Sequence, residues 1–123
     1  MQLKRVVVTG LGALTPIGNN IEEYWDALVS GKSGSAPITY YDTEKFKVKF
    51  ACELKNYSTD DHFDRKEGRK LDRFAQYALV SSDEAILDSK LDLDKVDKFR
   101  VGVIWGAGIG GLETFQNEVM NFA

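Results

Sequence analysis

The stretch VGVIWGAGIGGLETF, residues 101–115, contains the glycines whose spacing most directly suggests chemistry. Gly106, Gly108 and Gly111 match the G-x-G-x-x-G pattern of a dinucleotide-binding turn, in which a pyrophosphate meets a helix N-terminus. The acidic residue that holds the ribose in such a site is expected about 20 positions further on, which is beyond Ala123. Alternatively, the glycines let a ligand or a second backbone approach closely. Spacing alone leaves both interpretations open.

Cys52 and His62 are the single cysteine and the single histidine of the chain. One cysteine forms no internal disulfide, and one cysteine with one histidine makes a poor metal-ligand set. Cys52 lies in KFACELKNY, a predicted strand, and His62 lies in the acidic segment STDDHFDRK. We therefore expect a semi-buried structural cysteine, a surface histidine and no metal or cofactor.

A cluster of cations in the middle of the chain has helical spacing. Its members follow an i, i+3, i+4, i+7 pattern: Lys66, Arg69, Lys70 and Arg73. If the segment is helical throughout, they form one basic face, which can steer an acidic partner even on a net-negative protein. The alternative is a solvated face neutralised by nearby acids, namely Asp64, Glu67 and Asp72. Gly68 could break the helix and spoil the regular face.

Length and composition are those of a globular chain of one domain or part of one. The 123 residues are 43% hydrophobic, and 16 Lys and Arg against 19 Asp and Glu give a net charge of -3. This balance excludes a globally basic nucleic-acid binder. No segment reaches the ~18 apolar residues of a membrane span, and the N-terminus lacks signal-peptide features. We expect a cytoplasmic protein with no nucleic-acid or membrane partner.

The N-terminal third predicts a strand followed by a helix. Residues 6–8 form a short β-branched run that is typical of a buried strand. Asn19 or Asn20 is placed to cap a helix over residues 21–30, and Gly31 to end it in the left-handed conformation. The expected buried face of this helix consists of Ile21, Tyr24, Trp25 and Leu28.

The remaining chain predicts a strand or hairpin arm, a long helix, a second buried strand and a final helix. Residues 46–54 alternate apolar and lysine residues, and residues 100–105 are almost continuously apolar. The long helix begins near Arg69, and residues 112–123 form the last helix. The core face of the long helix is mostly small, which predicts close packing: Leu71, Phe74, Ala75, Ala78, Ser82, Ala85 and Ile86.

This order of elements predicts an α/β fold with a parallel sheet. Two strong strands cannot bury both faces of such a sheet, and the chain stops inside a helical pattern. We therefore expect residues 1–123 to be an incomplete domain.

Four motifs in register carry a family resemblance. They are VVVTGLGALTPIGNN, SGKSG, RKEGRKLDRFAQYAL and VGVIWGAGIGGLETF. The chain resembles the N-terminal part of the β-ketoacyl-acyl carrier protein synthases, specifically their elongating members. The resemblance implies a partial thiolase-like fold, the N-terminal part of the first of two α/β halves in which helices pack on a mixed sheet. It also implies a homodimer that uses no dinucleotide.

The resemblance also implies a decarboxylating Claisen condensation between acyl and malonyl thioesters. Its cysteine nucleophile and two histidines belong to motifs that neither Cys52 nor His62 matches, so we expect no catalytic residue here and an inactive fragment. Lys66, Arg69 and Lys70 would dock acyl carrier protein. Gly108 and Ile109 would bind substrate, with Ile109 as a gate unless it is an ordinary core residue. A polyketide-type ketosynthase and a non-catalytic nucleotide-binding or partner-docking module remain the alternatives.

Overall fold

The computed structural model describes residues 3–123, which form a mixed α/β segment dominated by helices. The helices are α1 (Ile21–Val29), α2 (Arg65–Gly68), α3 (Arg73–Ser89) and α4 (Leu112–Phe122). Strands β1 (Ala36–Pro37) and β2 (Phe50–Ala51) pair antiparallel, with Ala36 opposite Ala51 and Pro37 opposite Phe50. Short 3-10 turns occupy Thr59–Asp61 and Lys98–Arg100.

Helix α1 begins and ends where its capping residues predict. The Asn20 side chain accepts a hydrogen bond from the Glu23 backbone N–H at 2.8 Å, and the Glu23 carboxylate accepts one from the Asn19 N–H at 2.8 Å. Gly31 has a φ of +68°, and the Lys32 N–H reaches back to the Ala27 carbonyl at 2.9 Å. This 6→1 hydrogen bond is that of a Schellman cap.

The predicted buried face of α1 is only partly correct. Ile21 and Tyr24 are half-buried, whereas Trp25 and Leu28 are exposed, and Ala27 is the buried residue of the helix. Large apolar side chains become buried only where another element covers them, and among the described residues none covers this side of α1.

Helix α3 is the element around which the described residues pack, as its small side chains predict. Its expected core positions, from Leu71 to Ile86, are all half-buried. A Cβ added to Gly12 would lie 2.8 Å from the Ala85 backbone nitrogen, and one added to Gly10 would lie 2.6 Å from the Ser89 nitrogen. The N-terminal segment therefore lies directly on the helix backbone, a contact that only glycine permits.

Two carboxylates on α3 bind backbone N–H groups of this N-terminal segment. Glu84 accepts from Ala13 at 2.8 Å and from Ile21 at 2.7 Å, and Asp88 accepts from Leu11 at 2.8 Å. These bonds supply partners for backbone donors that have none in a sheet.

The two buried strands predicted for residues 6–8 and 100–105 are absent from the described part of the chain, and with them the parallel sheet. Val6 is 89% exposed and Ile104 is 99% exposed. A strand requires a hydrogen-bonded neighbour, and the one ladder within residues 3–123 joins β1 to β2. The prediction for residues 46–54 is confirmed only at Phe50–Ala51, which is an arm of that hairpin.

The apolar core of residues 3–123 is small, with Ala27, at 4% exposure, as its one buried apolar residue. Gln76 and Ser81 on α3 are the buried polar residues. Among the described helices, none combines the length and apolar character that a membrane crossing requires.

Candidate functional site

The predicted basic residues lie on a helix–turn–helix segment rather than on one continuous helix. Helix α2 ends at Gly68, and α3 begins only at Arg73, after Asp72 with an extended ψ of 152°. Lys66 lies on α2, whereas Arg69 and Lys70 lie in the turn between the two helices. The condition for one regular basic face, a helix continuous through Arg73, is therefore not met, and the helix breaks at Gly68, which was the alternative.

The break divides the cations between two neighbouring grooves. Lys66 and Lys70 line a groove of about 460 Å³ together with Leu71. Arg69 lines a second groove, of about 220 Å³, together with Arg65. The turn thus presents two pairs of cations in different directions, instead of a single stripe.

Two of the three acids beside these cations, Asp64 and Asp72, are engaged with other partners, whereas Glu67 lines the same groove as Lys66 and Lys70. Asp64 caps α2, where its carboxylate accepts from the backbone N–H groups of Lys66 and Glu67, each at 2.8 Å. Asp72 accepts a hydrogen bond from the Thr114 hydroxyl. Within residues 3–123 the ion pairs involve other lysines and arginines, and Lys66, Arg69 and Lys70 are exposed. This arrangement favours a basic surface over a neutralised one.

Residues 69–72, which join α2 to α3 and include Arg69 and Lys70, form the basic turn. Gln76 lies beneath this turn and is 5% exposed. Its amide nitrogen donates to the carbonyls of Gly68 and Leu71, each at 3.0 Å. Its amide oxygen accepts from Tyr57 at 3.1 Å and from Thr59 at 2.8 Å. No role for Gln76 was predicted from the sequence, in which its one signal is a polar side chain within the otherwise apolar run FAQYALV.

Residues 106–111 form the glycine turn. Among its glycines, only Gly110 and Gly111, at the C-terminal end of the turn, lie close to the start of α3. A Cβ on Gly110 would lie 3.6 Å from the Phe74 ring, and one on Gly111 would lie 2.6 Å from the Asp72 carboxyl carbon. Nothing lies within 4 Å of the corresponding position on Gly106 or Gly108. The first half of the turn is therefore free of neighbours, while the second half is held against the start of α3.

A groove of about 500 Å³ separates the glycine turn from α3 and contains Tyr40, Arg73 and Tyr77. The Arg73 guanidinium lies 4.8 Å from the centre of the Tyr40 ring, and its Nε is 3.4 Å from a Glu113 carboxylate oxygen. Burial would lower the pKa of Arg73, but the hydrogen bond to Tyr77 and the charge of Glu113 raise it. Burial and the nearby Tyr40 raise the pKa of Tyr77.

The start of α4 is therefore poorly suited to a pyrophosphate. Asp72 lies against Gly111 and Thr114, and Glu113 occupies the first turn of the helix. The Asp72 carboxylate lies where a dinucleotide-binding turn must attract an anion, and Glu113, paired with Arg73, adds no attraction. The geometry thus disfavours the nucleotide-binding interpretation of the glycines.

The predicted substrate residues Gly108 and Ile109 lie on the free half of the turn. Ile109 is 80% exposed, so it is not a core residue of the described chain, and it does not line the groove beside Arg73. The structure therefore brings neither residue together with the basic turn.

The two reactive side chains lie elsewhere. Cys52 is exposed directly after β2, which corrects the expectation of a semi-buried thiol, and it is not at a helix N-terminus. His62 is at the surface, as expected, and stacks on Tyr57 with 5.3 Å between ring centres.

Comparison with known proteins gives consistent matches. The family model described as "Beta-ketoacyl synthase, N-terminal domain" matches residues 3–121. The chain is 50% identical over 115 residues to 3-oxoacyl-[acyl-carrier-protein] synthase 2 of Staphylococcus aureus (strain COL), covering 94% of this chain and 28% of that protein. Identity to the synthase 2 of Synechocystis is 42% over 118 residues, covering 96% of this chain and 28% of the relative. The chain thus spans little more than a quarter of the length of these relatives.

Two solved structures are similar in fold. The ishigamide ketosynthase/chain length factor has a TM-score of 0.63 and 34% identity, covering 73% of this chain and 22% of the other. A type II PKS acyl-carrier protein in complex with its ketosynthase gives a TM-score of 0.58 and 28% identity, covering 78% and 25%. These likenesses support a partial thiolase-type fold. With a family model that matches almost every described residue, the chain belongs to the beta-ketoacyl synthase family and corresponds to its N-terminal domain.

Proposed function

We propose that this chain is the N-terminal segment of a 3-oxoacyl-[acyl-carrier-protein] synthase that elongates acyl chains in fatty acid biosynthesis. The observation that carries the proposal is the 50% identity over 94% of the chain to a relative of that name. The complete protein would be a cytoplasmic homodimer that requires no cofactor, nucleic acid or membrane.

The proposed reaction is a decarboxylating Claisen condensation. A cysteine thiolate attacks the carbonyl of a carrier-bound acyl thioester, forms an acyl-cysteine and releases the carrier thiol. Malonyl-carrier protein loses CO2, and its enolate carbon attacks the acyl-cysteine carbonyl. The cysteine leaves as thiolate, and the product is a 3-oxoacyl chain that is two carbons longer. The nucleophile and the two histidines would come from outside residues 1–123, because the surroundings of Cys52 and His62 match neither role.

In this proposal, residues 1–123 contribute binding surfaces. Lys66, Arg69 and Lys70 would dock the acidic carrier protein, which is supported by their exposure and by the absence of ion pairs to them among the described residues. Gly108 and Ile109 would line the path of the acyl chain, which is supported by the open space around the first half of the glycine turn.

The complete fold would extend the described one. We propose that residues 6–8 and 100–105 become strands of a mixed thiolase-type sheet when the rest of the protein supplies their neighbours. Their exposed, β-branched and aromatic side chains support this assignment.

A polyketide ketosynthase is the second candidate, and two of the solved structures that resemble the chain favour it, since both contain ketosynthases and one is named as a type II PKS. Their identities of 34% and 28% are well below the 50% shared with the fatty acid enzyme. Product analysis would separate the two functions. A fatty acid enzyme makes a single two-carbon extension that awaits reduction, whereas a polyketide enzyme continues to extend the unreduced chain.

The first experiment tests the activity and the location of its nucleophile. The complete protein should condense an acyl primer with malonyl-carrier protein, and the Cys52→Ala variant should do so at the parent rate. Residues 1–123 alone should give no product and no acyl adduct on Cys52 by mass spectrometry. Stoichiometric acylation of Cys52 would contradict the proposed location of the chemistry.

The second experiment tests carrier docking. In the complete protein, the double variant Arg69→Glu/Lys70→Glu should raise the KM for carrier-bound substrates about tenfold, because it replaces attraction of an acidic partner by repulsion. Small pantetheine thioesters should be unaffected, and the difference should shrink with salt, whose screening length is about 10 Å at 0.1 M.

The matched control for docking is Lys95→Glu/Lys98→Glu, which changes the net charge equally. These lysines pair with Asp92 and Asp94, away from the basic turn. A similar rise in the KM for carrier-bound substrates in both double variants would indicate a general charge effect. An equal rise in KM for carrier-bound and pantetheine substrates would indicate that Arg69 and Lys70 have a role in folding.

A further inference from the structure

The buried amide of Gln76 connects three segments that are separate in the sequence. It lies on the first turns of α3, accepts from Tyr57 and Thr59, and donates to the turn that follows α2. A primary amide has two donor hydrogens and two acceptor lone pairs, so all four hydrogen-bonding positions are occupied. A fully satisfied amide in a site with little water is held in one orientation.

The two carbonyls that Gln76 binds lie on either side of the docking cations. They belong to Gly68 and Leu71, and the two residues between them are Arg69 and Lys70. Gln76 therefore restrains both ends of the peptide segment that carries these side chains. Because Arg69 and Lys70 line different grooves, the distance and direction between their charges depend on the backbone of this turn.

The turn's own hydrogen bonds hold its two ends unequally. The Lys70 N–H donates to the Glu67 carbonyl at 3.0 Å. The Leu71 N–H to Gly68 carbonyl distance is 3.4 Å, which is long for a hydrogen bond. Asp72 makes no side-chain capping bond to α3, because its carboxylate binds Thr114 instead. The C-terminal end of the turn, at Leu71, therefore depends mainly on the hydrogen bond from Gln76.

The acceptor side of the amide is equally well defined. Burial and the nearby Tyr77 raise the pKa of Tyr57, so its hydroxyl keeps its proton and remains a donor at neutral pH. The Tyr57 ring also packs edge-on against Tyr77 at 5.1 Å and is stacked on His62. The orientation of the Gln76 amide is thus set by an aromatic cluster on the opposite side from the turn.

We propose that Gln76 is a positioning residue for carrier-protein docking, which fixes the turn so that Arg69 and Lys70 present their charges in a defined geometry. The proposal rests on the docking function proposed above and adds a residue that does not itself contact the partner. It would act on affinity for the carrier and not on the chemical step.

The test uses the complete protein and the isosteric variant Gln76→Glu. It keeps an acceptor oxygen for Tyr57 and Thr59 but replaces the two N–H donors to the carbonyls by at most one O–H, present when the buried carboxyl is protonated. The KM for a carrier-bound acyl substrate should rise about five- to tenfold, while kcat and the KM for the pantetheine thioester stay within twofold. Gln116→Glu is the matched control, because Gln116 is exposed on α4 and should leave every parameter unchanged. An unchanged carrier KM in folded Gln76→Glu, or an equal loss with the pantetheine substrate, would overturn the proposal.

A double-mutant cycle distinguishes failure of this proposal from failure of docking. If Gln76 acts through the cations, Gln76→Glu should add less than twofold to the carrier KM in the Arg69→Glu/Lys70→Glu background. A full five- to tenfold addition there would refute the positioning role and leave docking intact. If Arg69→Glu/Lys70→Glu does not selectively raise the KM for the carrier-bound substrate, the proposed docking function itself is refuted.

A milder variant covers the case in which Gln76→Glu does not fold. Tyr57→Phe combined with Thr59→Val leaves the amide in place but removes both donors to its oxygen, so the amide can rotate away from the turn. We expect a carrier-selective rise in KM of about threefold. No selective change in this folded variant would likewise overturn the proposal.

Discussion

The glycine-rich segments at residues 10–18 and 106–111 resemble each other in composition but differ in how their glycines are used. Gly10 and Gly12 have no space for a Cβ, because the backbone of α3 lies directly against them. Gly106 and Gly108 have no neighbour within 4 Å of that position, and Ile109 between the two halves of its turn is exposed. The first segment is packed and the second is free over half its length.

The difference arises from the surface opposite each segment. Ser81, Ala85 and Ser89 give α3 a flat strip, and Glu84 and Asp88 beside it bind the backbone N–H groups of the first segment. The second segment meets α3 only at Phe74 and Asp72. Glycine serves both close packing and unhindered backbone motion, so its presence alone does not tell which one a segment uses.

The largest effect should come from a β-branched side chain at the packed segment. Gly12→Val should lower the free energy of unfolding by about 3 kcal/mol, because the added atoms overlap the backbone of α3 at Ser81 and Ala85. Gly108→Val is the matched control in open space and should cost less than about 1 kcal/mol. Urea unfolding of both variants measures this difference. Equal losses of unfolding free energy would show that the two glycine segments are packed alike.

A smaller effect should follow from weakening the hydrogen bonds that hold the packed segment. Glu84→Gln leaves one oxygen to serve the N–H groups of Ala13 and Ile21, and places an NH₂ group against the other donor. We expect a loss of about 2 kcal/mol, since hydrogen bonds to a charged group contribute about 1.5–3 kcal/mol. Asp83→Asn, on the exposed side of the same helix turn, should change the melting temperature very little. Similar shifts for both variants would mean that the Glu84 bonds contribute little.

The smallest effect concerns the free segment and should appear in activity rather than stability. Ile109→Phe in the complete protein should leave the melting temperature unchanged, because the side chain is exposed in residues 3–123. If Ile109 borders the acyl path, the added bulk should reduce kcat/KM for long primers about tenfold, equivalent to about 1.4 kcal/mol, and spare a two-carbon primer.

Two results would contradict this use of Ile109. Equal losses for short and long primers would show that the residue does not border the acyl path. Loss of affinity for a dinucleotide that the parent binds would instead support the nucleotide-binding interpretation of the turn.

Local signals were predictable where a few consecutive residues complete the interaction. The Asn20 cap of α1 and the left-handed Gly31 that ends it need only backbone groups within the same helix turn. The final helix at Leu112–Phe122 follows from apolar spacing, and its predicted range differs by one residue. The family resemblance, confirmed by the match over residues 3–121, likewise depends on motifs that are contiguous in the chain.

Features that join distant residues were not predictable. Residues 6–8 and 100–105 have strand composition, yet a strand forms only with a neighbour, which the described chain does not supply. The sequence left open whether Gly68 interrupts the basic face. The chain does break between α2 and α3, and the contact of Gly68 with Thr59, which leaves no room for a Cβ, appears only in the structure. Helical spacing places side chains on one face only where the backbone remains a continuous helix.

The amino-acid sequence by itself determined the ends of α1, the family and the identity of the charged and glycine-rich motifs, because these depend on backbone preferences and on side chains close together in the chain. The tertiary structure alone decided that Gly12 lies on α3, that Asp72 faces Gly111, and that Gln76 supports the turn carrying Arg69 and Lys70. Those contacts join residues whose approach depends on how whole segments pack. Hydrogen-bond partners and available space are properties of that arrangement and not of any one segment.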